Sequence, residues 1–126
     1  ENSSSSTRSF KESQIDDLDR VFFRLFSFAK QWGSQYVEIA KSAVCKHMVW
    51  IMFNLVQCKE LSKKDKKEIT EKLAFVIKRY CGESWKRVAN KLRLEMNILV
   101  RCICQGHYLS AIVAAKVIVT LTKTFD

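Results

Sequence analysis

The chain has 126 residues, 48% of them hydrophobic and 28% charged, and a formal net charge of +9. A chain of this size suits one domain, long enough to bury about two-thirds of the surface its unfolded form would expose. With no proline and only three glycines there is too little turn punctuation for the hairpins of an all-β fold, so the expected class is all-α.

Residues 1–10 are rich in serine and too polar to order themselves, and read as a disordered tail before a single helical-bundle domain over 11–126. The first helix is predicted from about Ser13, capped by Ser13-x-x-Asp16, to Trp32, with Gly33 as its stop. Its core stripe is Ile15, Leu18, Phe22, Leu25, Phe26, Ala29 and Trp32, while Phe23 projects to the other side. The second helix spans about 35–57. Within it, Met48–Val56 holds a single polar residue, Asn54, and its apolar side chains point all around the axis. Such a helix is expected to be central and buried on every side, with Trp50 deep in the core. His47 and Asn54 then need internal hydrogen-bond partners.

A second capping box, Ser62-x-x-Asp65, opens the third helix, whose stripe is Ile69, Leu73, Val76, Ile77 and Tyr80 and whose end is Gly82. Ser84 caps a fourth with the stripe Trp85, Val88, Ala89, Leu92, Met96, Leu99 and Ile103. For Ser110–Lys123 the spacing of Ile112, Val113, Val117, Ile118 and Leu121 favours a helix, although the β-branched run Val117–Leu121 also suits a strand. The expected architecture is a compact bundle of about five helices around the second.

No apolar stretch exceeds about ten uncharged residues, short of the ~20 of a membrane-spanning helix, so no transmembrane span is expected. The cysteines Cys45, Cys58, Cys81, Cys102 and Cys104 are odd in number and lack CxxC spacing. Neither a disulfide framework nor a zinc site is expected, and a reducing, intracellular compartment, cytoplasmic or nuclear, follows. No catalytic constellation emerges. Cys45 and His47 diverge on their helix, and His107 near Cys102 and Cys104 lacks a third positioned group. The chain is read as non-enzymatic, without metal or cofactor.

Charge is the informative departure. Residues 59–93 hold twelve Lys or Arg against five Asp or Glu, which concentrates +7 of the +9 on helices three and four. Part of this belongs to a solvated helix face, as Glu68 and Lys72 suit an i,i+4 pair. Phe75, however, lies opposite its helix's core stripe among Lys64, Glu68, Glu71 and Arg79, and Leu94 and Ile98 lie off theirs near Arg87, Lys91 and Arg101. Apolar anchors with a basic rim are the composition of a protein-binding patch. The expected function is therefore a protein interaction or regulatory module binding through Phe75, Arg79, Arg87, Lys91, Leu94 and Ile98, its partner being another protein or a second copy. The alternative is a nucleic-acid-binding domain in which Lys63, Lys64, Lys66, Lys67, Lys78, Lys86 and Arg93 meet phosphates. An anionic membrane surface is a third reading of the same charge.

Trp85-x-x-Val88-Ala89-x-x-Leu92 resembles the tryptophan-anchored helix of death-fold adaptors and of Myb-type DNA-binding repeats. Gly82-x-x-Trp85-x-Arg87-Val88 is similar to a groove segment of the helical-bundle apoptosis regulators. All three imply a tryptophan that plugs an inter-helix junction. The chain departs from the Myb pattern in lacking further regularly spaced tryptophans. It departs from the apoptosis pattern in having Lys91-Leu-Arg-Leu-Glu95 where an apolar, Gly-rich continuation belongs. No functional residue carries over from these resemblances.

Overall fold

The structure, a computed structural model, describes residues 3–125, with side chains described over 13–122. The tail expected over 1–10 lies outside the residues whose side chains are described. Among the described residues there are six α-helices: α1 (Ser3–Trp32), α2 (Ser34–Gln57), α3 (Lys63–Cys81), α4 (Trp85–Asn90), α5 (Leu94–Cys104) and α6 (Tyr108–Phe125). A 3-10 turn, Gly82–Ser84, joins α3 to α4. The chain is an all-α bundle in which α2 packs against each of the other five α-helices.

Local chemistry sets the boundaries. Gly33 alone links α1 to α2. Its φ of +133° is closed to most side chains, and its N–H donates to the Ala29 carbonyl at 3.1 Å, ending α1 and reversing the chain. The Ser62 hydroxyl accepts from the Asp65 N–H at 3.0 Å, which is the expected cap of α3. Ser13, by contrast, caps nothing, because α1 runs through it with no glycine or proline to stop the helix. The expected fourth helix is two: Lys91 and Leu92 donate to the Val88 and Ala89 carbonyls at 3.1 and 3.0 Å, closing tight turns after Asn90. The segment that also suited a strand is helical as α6.

The core gathers Phe22 and Phe26 of α1, Met48, Ile51, Met52 and Leu55 of α2, Leu73 and Ile77 of α3, and Leu99 and Ile103 of α5. Ala111 and Ala115, fully buried on α6, let that helix approach closely. Trp85 is 9% exposed and fills the start of α4, the junction-plugging place expected of it. Buried Thr70 is satisfied locally, its hydroxyl donating to the Lys66 carbonyl at 2.7 Å.

Three expectations are corrected. Trp50 is 52% exposed, since five neighbours surround α2 yet leave uncovered the strip shared by Lys46, Trp50 and Gln57. Leu25 and Trp32 belong to the outside of α1, whose buried residues are Ile15, Phe22, Phe26 and Ala29. His47 is exposed, its ring 5.8 Å from that of Phe22, whereas Asn54 does find a structural hydrogen bond, its amide donating to the Trp50 carbonyl at 3.2 Å within its own helix. By length and composition α2 is apolar enough to cross a membrane, but half of its apolar window is buried inside the bundle.

Two substitutions separate the buried and exposed aromatics. Phe22 is 2% exposed, and Phe22→Ala is expected to cost about 3–5 kcal/mol in urea unfolding followed by circular dichroism. Trp50→Ala should cost about 1–2 kcal/mol, because half of the ring is already in water. Equal losses would show that Trp50 is core after all.

Candidate interaction surfaces

The outer face of α3 presents Phe75, 68% exposed, where its helix is otherwise charged. On α5, Leu94 and Ile98 follow one another by a single turn and are 72% and 44% exposed. These side chains face water in the structure, as the sequence pattern implied.

Two arginines expected beside them are drawn into contacts between helices. The Arg79 guanidinium donates to Asp19 Oδ2 on α1 at 2.9 Å and lies 5.5 Å from the Tyr80 ring centroid. The Tyr80 hydroxyl reaches Asp19 Oδ1 at 2.7 Å and the Asp19 carbonyl at 2.8 Å, so α3 grips α1 through one aspartate. Arg87 of α4 makes a two-pronged pair with both carboxylate oxygens of Glu38 on α2. Lys41 lies 3.5 Å from the same Glu38 carboxylate and donates to the Ser84 hydroxyl at 3.1 Å. The hydrogen bond from Arg87 is the main reason the Glu38 carboxyl is held below its usual range.

The lysines divide. Lys63, Lys64 and Lys67 are exposed in the first turns of α3, as are Lys78, Lys86 and Lys91 further on. The Lys86 ammonium stands 5.8 Å from the Trp85 ring centroid. Arg93 pairs with Glu95 at 3.1 Å. Lys66 departs from the expected solvated set: it is buried, and burial above all, with Lys116 next, lowers its pKa. The expected partner-binding residues are thus spread over α3, α4, α5 and the turn between the last two, with Phe75 and Leu94 as their most exposed apolar members.

Trp50 was missed as a surface residue. It stands between two depressions. One, of 280 Å³, also has Phe53 and Asn54 of α2 and Ile118 of α6 in its walls. The other, of 440 Å³, has Leu18 of α1, His47 of α2 and Met96 of α5. Lys46 and Gln57, one and two turns from Trp50 on the same side of the helix, were the available signal of a wet strip.

Two of the five thiols, Cys45 and Cys104, are held protonated. Cys45 and Cys81 are buried with their sulfurs 3.9 Å apart, and the hydrogen bond between them, together with burial, pushes the Cys45 thiol far up. Burial pushes Cys104 up to about 12. Such thiols are poor nucleophiles at neutral pH. Among the described residues no three His, Cys, Asp or Glu side chains come together as metal ligands. No protein-family model matches the chain, and neither a curated protein nor a solved structure matches it.

The grip on Asp19 predicts a pH effect. Burial first, then the hydrogen bond to Asp19, raises the Tyr80 pKa from 10.0 to about 12. A pKa raised by folding means that the contribution is complete below pH 10 and is lost as the pH rises through 12. Tyr80→Phe should cost about 1–2 kcal/mol at neutral pH. The variant should also flatten the alkaline loss of stability, measured by urea unfolding at stepped pH. An unchanged alkaline profile would remove Tyr80 from this role.

Proposed function

We propose that this chain is a non-enzymatic helical interaction module whose partner protein docks on the basic, partly apolar surface of α3–α5. The observation that carries the reading is the exposure of Phe75 and Leu94, 68% and 72%, on the segment that holds most of the excess positive charge. Large apolar side chains left in water on cationic helices suit a partner that offers apolar pockets within an acidic rim. Because Arg79 and Arg87 already serve contacts to α1 and α2, the lysines supply most of the attraction and the apolar side chains the hold. The five free cysteines fit a reducing, intracellular setting.

Nucleic-acid binding is the second reading, favoured by the grouping of exposed Lys63, Lys64 and Lys67 at the start of α3. Lys66 takes no part in it, being buried.

Two variants tell the readings apart. Changing Lys63, Lys64 and Lys67 to Glu lowers the formal charge by two per residue, from +9 to +3. For a nucleic-acid binder, fluorescence anisotropy with single-stranded RNA or duplex DNA should show wild-type binding that weakens steeply with salt and is lost in this variant. For a protein-binding module, nucleic-acid binding is undetectable near physiological salt. Captured proteins are then lost from Phe75→Asp/Leu94→Asp, while its helical circular dichroism stays that of the wild type. Capture unaffected by that variant would refute the proposed surface.

A further inference from the structure

The hairpin of α1 and α2 carries a second apolar surface, independent of the α3–α5 reading. On α1, Val21, Leu25, Phe28 and Trp32 are 56%, 38%, 55% and 65% exposed, although they repeat at the 3–4 spacing of a helix-packing seam. On α2, Tyr36, Ile39 and Trp50 are 41%, 65% and 52% exposed, and positions 36, 39, 43, 46, 50, 53 and 57 keep the same spacing. Together these are seven of the fifteen exposed large apolar side chains among the described residues, and Phe23, outside the seam, is the hairpin's eighth.

The two seams form one surface because side chains join them at both ends. At the hairpin turn the rings of Phe28 and Trp32 lie 6.1 Å apart, and those of Trp32 and Tyr36 5.7 Å apart. At the far end Leu18 of α1 and Trp50 of α2 line the same 440 Å³ depression. The strip runs about 27 Å along α1 from residue 14 to 32, at the rise of an α-helix.

We infer that this surface binds a second copy of the chain, two α1–α2 hairpins packing face to face about a twofold axis into a four-helix interface. Area argues for it. At the ~150–250 Å² that an aromatic residue can bury, the four aromatic and three aliphatic side chains leave on the order of 700 Å² in water, near the ~800 Å² that each partner of a standard interface buries. Charge argues for it too. Among the seam positions from 14 to 32 and from 36 to 57 only Lys46 is charged, whereas residues 59–93 carry +7 of the +9. Two identical cationic chains meet with least repulsion through the face that carries least charge. Geometry agrees, since a hairpin of antiparallel helices with 3–4 seams is half of a four-helix bundle, and a twofold interface needs one self-complementary patch.

Sedimentation velocity on the full chain at rising concentration tests the inference. The expected result is a monomer converting to a dimer, with tryptophan emission moving to shorter wavelength, because Trp32 and Trp50 leave water while Trp85 is already buried. Phe28→Glu/Trp32→Glu should sediment as a monomer with wild-type circular dichroism, and so should Ile39→Lys, a milder change on the other helix that decides the matter if the double variant unfolds. Phe75→Asp, on α3, should still dimerise. A wild type monomeric at every concentration overturns the inference, as does a dimer that survives Ile39→Lys or one that Phe75→Asp dissolves.

Discussion

Burial of α2 is the constraint on which the rest depends. Val44, Cys45, Met48, Val49, Ile51, Met52 and Leu55 are fully buried, and the surrounding helices are arranged to bury them. Each large aliphatic removed from water stabilises by about 1.5–3 kcal/mol. The polar contacts between helices are of another order. Arg79 and Arg87 are about half exposed in their pairs with Asp19 and Glu38, and exposed ion pairs contribute about 0–1 kcal/mol. Packing on α2 holds the bundle together, while these pairs orient α3 on α1 and α4 on α2.

A helix that serves as the hub of a small bundle cannot be covered everywhere. The five α-helices that touch α2 leave one strip of it in water, and Trp50 falls on that strip. The composition of Met48–Val56 gave no hint of this, because a run that is apolar all around has no polar face to point outward. The large aliphatic core of α3 was legible for the opposite reason: charged residues there fill the outer face, so Ile69, Leu73, Val76 and Ile77 stand out and are all buried. The smaller or polar Lys66, Thr70, Ala74 and Cys81 are buried without having stood out.

The first helix shows a different failure of periodicity. Ile15, Phe22, Phe26 and Ala29 are buried, whereas Leu25, Phe28 and Trp32 repeat at nearly the same spacing on an adjoining face that none of the described residues covers. Two apolar arcs side by side merge into one broad stripe in sequence, and only the position of α2 and α3 separates inside from outside. The break between α4 and α5 was hidden likewise. The stripe from Trp85 to Ile103 keeps its register across the turn at Lys91–Arg93, with Leu92 and Met96 partly buried against the core on either side of α5's first residue. Phe75, Leu94 and Ile98 were legible as exposed because each interrupts an otherwise charged or polar face.

Charge and exposed apolar surface are therefore distributed by different rules in this chain. Cations concentrate on α3–α5, where their field reaches beyond the surface and can raise the rate at which an acidic partner arrives, an effect that salt suppresses. The uncharged apolar side chains concentrate on the α1–α2 hairpin, where attraction acts only in contact and is insensitive to screening. Scattered single apolar residues on a surface need no explanation, but a contiguous patch of several hundred Å² is uncommon on a monomer. The hairpin's apolar face lies nearest to one core and is laid out as if for another. If both surfaces bind as proposed, that segregation keeps them apart: a partner drawn to the lysines would meet little of the aromatic face, and a contact made by the aromatic face would leave the lysines in solvent.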